Sequence, residues 1–194
     1  MNAPTKATDL MPQTVEFKLD EKTIHAYEGE TILKAAQRHG VDIPHLCYKD
    51  GLRPDGNCRA CVVEIKGERT LAPSCCRTAT AGLEVLVSDR AVKSQKMVLE
   101  MLLSDMPDEG YKWKGEGQQH GELSDWASRM DVQVRPELRE VRREQPVCDV
   151  SHPAMAVNLD ACIQCNRCVR ACREEQVNDV IGYAHRGAHS QIVF

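Results

Sequence analysis

The cysteines of this chain fall into two groups whose spacing is suited to holding metal. Ten of the 194 residues are Cys, against two Phe, two Trp and four Tyr. The first group has gaps of ten, two and thirteen residues and comprises Cys47, Cys58, Cys61 and Cys75. A glycine-bearing loop precedes the central C-x2-C pair, and such a loop can curl around inorganic sulfide. Four such thiolates can hold a 2Fe-2S cluster: the central pair and the remote fourth ligand are shared with plant-type ferredoxins, although the first gap in those proteins is four residues.

The second group has the C-x2-C-x2-C-x3-C spacing of a bacterial 4Fe-4S motif and comprises Cys162, Cys165, Cys168 and Cys172. Its first three cysteines can bind three corners of a 4Fe-4S cluster. In ferredoxins with two clusters the last cysteine of each run binds the other cluster, so we expect Cys172 to serve a second 4Fe-4S cluster. The residues after Cys172, 173–194, contain no Cys. We therefore expect the chain to be the front part of a longer polypeptide that continues the ferredoxin domain.

Zinc is the main alternative for the first group. A zinc ribbon would need a second C-x2-C pair, but the downstream cysteines are the adjacent residues Cys75 and Cys76. A zinc-stabilised assembly module without electron transfer nevertheless stays open as a function of another class. Cys76 is interpreted as a structural thiol, and Cys148 as part of the segment leading into the second group.

The elements that must position the first group form an α+β pattern over residues 14–90, which follow a mobile tail at 1–13. Alternation of apolar and charged residues over 15–19 predicts a strand that pairs with 23–26 in a hairpin. Thr31 can cap a helix that ends near Gly40, and further strands are predicted at 62–65 and 83–87.

A helical and loop region is expected over 91–146, before a partial 4Fe-4S ferredoxin-type domain over 147–194. In the first helix of this region the apolar side is predicted to face a core, and its members are Val92, Met97, Val98, Met101 and Leu102. The polar stretch 135–145 mixes Arg and Glu and is interpreted as a solvated helix face.

The run CYKDGLRPDGNCRACVVEIKGERTLAPSCC resembles a domain shared by three groups of redox enzymes. They are the large iron-sulfur subunit of respiratory complex I, the diaphorase-side subunit of NAD-reducing hydrogenases, and the alpha subunit of NAD-dependent molybdenum or tungsten formate dehydrogenases. The resemblance implies a β-grasp 2Fe-2S ferredoxin fold for residues 14–90.

The second group lies in the stretch DVSHPAMAVNLDACIQCNRCVRACREEQVNDVIG, which is most similar to the formate dehydrogenase alpha subunit. This resemblance implies two partners: a flavin subunit that reduces NAD, and a metal-pterin domain that oxidises formate in the remainder of the polypeptide. The diaphorase subunit of a hydrogenase or of complex I is the alternative. No catalytic residue and no G-x-G-x-x-G nucleotide loop is expected within this chain.

Most of these relatives carry a further motif of one His and three Cys for another 4Fe-4S cluster. Here Met106 stands at the position of the His, and Gly110 and Trp113 stand at positions of two Cys. That cluster is therefore predicted to be absent. His120 lies nearby and is interpreted as a surface or hydrogen-bonding residue.

Charge and hydropathy exclude some classes of protein. The net charge of −4 argues against nucleic-acid binding, which usually requires a basic face. The sequence has no apolar stretch of signal-peptide length and no run of about 18 apolar residues that could span a membrane. We expect a soluble cytoplasmic protein, in which closely spaced thiols are metal ligands rather than disulfides.

Overall fold

A five-stranded mixed sheet is the largest element of the computed structural model, which describes residues 13–107, 121–142, 144 and 147–194. Its strand order is β2-β1-β5-β3-β4, with β1 parallel to β5 and the other neighbours antiparallel. The strands are β1 (Thr14–Leu19), β2 (Lys22–Tyr27), β3 (Val62–Ile65), β4 (Ala72–Pro73) and β5 (Glu84–Leu86). The hairpin and the strands near 62–65 and 83–87 are confirmed, whereas β4 was not predicted.

Alternation along β1 places Phe17 and Leu19 in the core and leaves Glu16 and Lys18 exposed, as a half-buried strand requires. Helix α1 (Ile32–Arg38) covers this face of the sheet with four buried residues. The Thr31 side chain accepts a hydrogen bond from the backbone N–H of Lys34 and caps the helix as predicted. Gly40 follows with a φ of 71°, a left-handed conformation that favours glycine.

Helix α2 (Asp89–Ser104) packs against β3, and only part of its predicted apolar face is packed: Val98 and Leu102 lie against an apolar cluster around Leu99. Its buried residues are Ala91, Gln95, Leu99 and Ser104, while Met97 and Met101 are exposed. The prediction for these two Met residues was therefore wrong. The physical reason is that Gln95 can be buried: its Nε2 donates a hydrogen bond to the Val62 carbonyl at 2.8 Å, which satisfies the amide inside the core.

Two short helices follow, α3 (Glu122–Arg129) and α4 (Pro136–Glu140). Leu123 of α3 joins a second core with Leu46, Leu99 and Met106, so α3 closes over the loop that carries the first cysteine. Helix α4 has no buried residue, in agreement with a solvated face. Gly110, Trp113, His120 and the predicted tail up to residue 12 lie outside the described residues.

The C-terminal region, residues 147–194, consists of two small hairpins around a helical segment. The first hairpin is β6 (Asp149–His152) with β7 (Met155–Val157), and the second is β8 (Gly182–Ala184) with β9 (Gln191–Val193). Between them, α5 (Arg167–Arg170) continues into a π-helical turn, Ala171–Glu175. The buried residues of its core are Leu159, Val169 and Ile192. Within the described residues, no helix combines the length and apolar character needed to cross a membrane.

Candidate metal centres

The first cysteine group comes together at one edge of the sheet domain, residues 13–90. Cys47 lies in the loop after α1, the C-x2-C pair precedes β3, and Cys75 follows β4. Cys47, Cys61 and Cys75 are buried and Cys58 is half-buried. Their thiols interact in pairs, Cys58 with Cys47, Cys47 with Cys75, and Cys75 with Cys61. The fold thus brings the thiols of all four predicted residues close together, each in contact with at least one other.

Backbone geometry around the first group favours sulfur that carries negative charge. The N–H of Cys47 donates to the Cys58 sulfur at 3.4 Å, and the N–H of Cys58 donates to the Cys47 sulfur at the same distance. Arg59, between the paired cysteines, has a φ of 60°. Gly56 has a φ of 63°, and a Cβ there would lie 3.0 Å from the Cys76 sulfur. This loop therefore needs glycine and directs N–H groups at the thiols.

Close approach of the four thiols changes their acidity in opposite directions. Hydrogen bonds from the Cys58 and Cys75 thiols lower the pKa of Cys47 to about 2. The hydrogen bonds that Cys75 makes with Cys47 and Cys61, together with its burial, raise the pKa of Cys75. A hydrogen bond from Cys75 lowers the pKa of Cys61 to about 7. Ionising all four thiols therefore requires compensating positive charge, which the iron of a cluster would supply, so the donor set fits such a group.

No three or more His, Cys, Asp or Glu side chains among residues 13–107, 121–142, 144 and 147–194 are arranged to hold a single metal ion. The four thiols of the first group contact one another in pairs. Cys76 is exposed, with its sulfur 3.6 Å from that of Cys75, and Cys148 is exposed in the segment before β6.

The second cysteine group is more open and divides into three thiols and one. Cys162 and Cys165 are half-buried and Cys168 is exposed. Burial and the neighbouring thiols of Cys165 and Cys162 raise the pKa of Cys168. Burial is the main reason why the pKa of Tyr183 is raised to about 12, and the charges of the same three thiols add to this effect. The structure therefore places Cys162, Cys165 and Cys168 in one neighbourhood beside Tyr183.

Cys172 is buried and has different partners from the other three thiols. Its thiol donates to the Oδ1 atom of Asn178 at 2.8 Å, and its sulfur accepts a hydrogen bond from the N–H of Val180 at 3.3 Å. These contacts lie on the segment between the π-helical turn and β8. The fold brings three of the four predicted residues together and ties the fourth to residues 178–180.

Direct contacts join the loops of the two cysteine groups. Next to Cys58, the Asn57 side chain donates to the carbonyl of Gln164 at 3.1 Å, beside Cys165. Ile163 packs in the same apolar cluster as Leu46 and Ala60. Sequence reasoning did not identify the most buried polar link, Arg170, which lies between Cys168 and Cys172 and contacts the first loop. An Arg inside a cysteine motif was the available signal, but only the fold shows where it leads.

Comparison with known proteins identifies the sheet domain first. Residues 12–90 match the model of a 2Fe-2S iron-sulfur cluster binding domain. A solved NAD+-reducing [NiFe]-hydrogenase in the H2-reduced state shares 30% sequence identity, with a TM-score of 0.75 over 92% of this chain and 74% of that chain. This chain belongs to the iron-sulfur protein family of NADH-quinone oxidoreductases and NAD-reducing hydrogenases. The predicted 2Fe-2S ferredoxin-like fold is thus confirmed.

Two curated members of this family illustrate how much of a relative the chain represents. A protein of the NADH-quinone oxidoreductase of Rhizobium meliloti is 32% identical over 189 residues, which cover 92% of this chain and 21% of that protein. NADP-reducing hydrogenase subunit HndD of Solidesulfovibrio fructosivorans is 35% identical over 179 residues, 87% of this chain and 29% of that protein. The chain therefore spans less than a third of the length of these oxidoreductase components.

Proposed function

We propose that this chain carries electrons within an NAD-linked oxidoreductase, and that Cys47, Cys58, Cys61 and Cys75 hold a 2Fe-2S cluster. The observation that carries this proposal is the meeting of four sulfurs from two separate loops, residues 39–61 and 74–83, inside a domain of the 2Fe-2S family. The cluster would supply one-electron redox chemistry. The chain's own residues bind it, bury it and direct backbone N–H groups at its sulfur ligands.

We further propose that Cys162, Cys165 and Cys168 hold three corners of a 4Fe-4S cluster, with Cys172 serving another 4Fe-4S cluster. Support comes from the motif spacing and from the shared neighbourhood of the first three thiols. The separate hydrogen bonds of Cys172 with Asn178 and Val180 fit a different role for that residue. The remaining ligands would come from outside this chain.

For the enzyme itself we propose an NAD-linked formate dehydrogenase alpha subunit, on the resemblance of residues 149–182 to that family. Electrons would pass from a metal-pterin domain, through this chain, to a cytoplasmic flavin subunit that reduces NAD. The alternative is the diaphorase side of a hydrogenase or complex I, which the names of the curated relatives favour. In either case this chain supplies ligation, burial and electrostatics rather than a substrate site.

The cluster assignment is tested by loading the chain with iron and sulfide without oxygen and recording electron paramagnetic resonance after reduction. A 2Fe-2S signal is expected, and Cys58→Ser should weaken or alter it. Cys76→Ser is the matched control, because Cys76 is a neighbouring thiol that we do not assign as a ligand, and it should leave the signal in place. Zinc without iron or acid-labile sulfide in anaerobically prepared protein would contradict the assignment.

The choice of enzyme is tested on the full-length protein with its partner subunits. Formate should reduce the iron-sulfur centres and, through the flavin subunit, NAD. Reduction by hydrogen or by NADH, with no response to formate, would instead identify the hydrogenase or complex I alternative.

A further inference from the structure

Arg170 is a charged side chain buried between the two cysteine groups. It ends α5, two residues after Cys168 and two before Cys172, and only 4% of the residue is exposed. Arg is rarely buried to this extent unless its charge has partners. What those partners are therefore indicates what the residue does.

The guanidinium of Arg170 reaches across to the loop of the first group. One terminal nitrogen donates to the carbonyl oxygen of Cys47 and the other donates to the carbonyl oxygen of Arg53. Its Nε lies 3.8 Å from the nearer carboxylate oxygen of Asp55 and has no hydrogen-bond partner among the described residues. Two backbone carbonyls and one incomplete ion pair thus surround the positive charge.

These contacts have a mechanical and an electrostatic consequence. The two terminal nitrogens of the planar guanidinium bind two carbonyls of the same loop, those of Cys47 and Arg53. This fixes the backbone of Cys47 relative to α5. Charge in a buried site acts strongly on nearby groups because solvent screens it little. A 2Fe-2S centre gains one negative charge on reduction, so a cation held at the carbonyl of a ligand favours its reduced form.

We propose that Arg170 is a positioning residue that clamps the Cys47 loop and raises the reduction potential of the first centre. This rests on the proposed 2Fe-2S assignment. Asp55 has the opposite effect, since its carboxylate partly offsets the charge of Arg170. The C-terminal region therefore tunes the centre of the sheet domain through one side chain.

The test is a potentiometric titration of the full chain, loaded with iron and sulfide, in which the 2Fe-2S signal is followed by electron paramagnetic resonance. Arg170→Gln should shift the midpoint potential to a more negative value, and Arg170→Lys, which keeps the charge but not the fork, should shift it less. Arg173→Gln is the matched control: Arg173 lies in the following turn, is exposed, and pairs with Asp179 at 2.9 Å. It should leave the potential unchanged.

Asp55→Asn provides a test of opposite sign and should shift the potential to a more positive value. An Arg170→Gln protein with the unsubstituted potential would overturn the inference while leaving the cluster assignment intact. If that variant does not retain iron, Asp55→Asn decides, and an unchanged or more negative potential overturns the inference. Absence of any 2Fe-2S signal in the unsubstituted chain would overturn the proposed function as well.

Discussion

The two cysteine groups lie in regions of very different internal support. Among the described residues, the main core of the sheet domain contains 17 buried residues, whereas that of the C-terminal region contains Leu159, Val169 and Ile192. Three of the four thiols in the first group are buried, against Cys172 alone in the second. A domain with so small an apolar core is expected to depend on a metal or a neighbour for its stability.

This contrast indicates how the two regions should respond to the same change. The sheet domain has a mixed sheet and a packed helix that hold its cysteine loops in place. The C-terminal region has two short hairpins, and Arg170 and Asn57 connect it to the sheet domain. Four experiments can confirm or refute that difference.

Removal of iron should have the largest effect, and it should fall mainly on the C-terminal region. Metal binding is coupled to folding, and three buried apolar residues cannot replace it. Amide hydrogen exchange before and after chelation should show lost protection over 147–194 with retained protection in β1, β3 and β5. Equal loss of amide protection in both regions would contradict the expected difference in stability between them.

Truncation of the sheet-domain core should cost about 2–5 kcal/mol in the free energy of unfolding, as for other buried Leu→Ala changes. Leu33→Ala is the suitable variant, because Leu33 is fully buried under the sheet in α1. Urea unfolding of the metal-loaded protein measures the change. Met97→Ala, at an exposed position of α2, should stay within about 0.5 kcal/mol.

Gln95→Ala should cost about 1–3 kcal/mol, since it leaves the buried carbonyl of Val62 without its hydrogen bond. The loss should appear in the unfolding of the sheet domain, to which this contact ties α2. Lys96→Ala, at the next and exposed position, is the control. If both variants unfold alike, α2 does not belong to that cooperative unit.

The smallest effect concerns pH and the ion pair that joins the segment before α4 to α2. The side chain of Arg135 donates to Glu100 at 2.7 Å, and this hydrogen bond lowers the pKa of Glu100. A lowered carboxyl pKa adds stability above the unfolded value of about 4.3, and this stability is lost as pH falls through the folded pKa. Amide exchange in α4 should therefore be faster in Glu100→Gln at pH 7, with the difference disappearing in acid. A difference that persists in acid would contradict the ion-pair explanation.

Local patterns predicted the elements of the sheet domain well, because each depends on neighbours in sequence. The alternation over 15–19, the Thr31 cap and the glycine at position 40 all correspond to observed features. The face of α2 could not be predicted in this way. Burial of Gln95 depends on a carbonyl 33 residues away, and no helical period contains that information.

Cysteine spacing within a loop limits which thiols can meet, so the order of residues was enough to predict which atoms could do chemistry. It was also enough to establish most of the strands and the helix cap that position the first group. The folded chain was needed to show that Cys172 turns to Asn178, and that Arg170 reaches a carbonyl 123 residues away. The physical reason is that such contacts arise from the packing of whole regions, and a side chain's reach is set by where its element docks rather than by its neighbours in sequence.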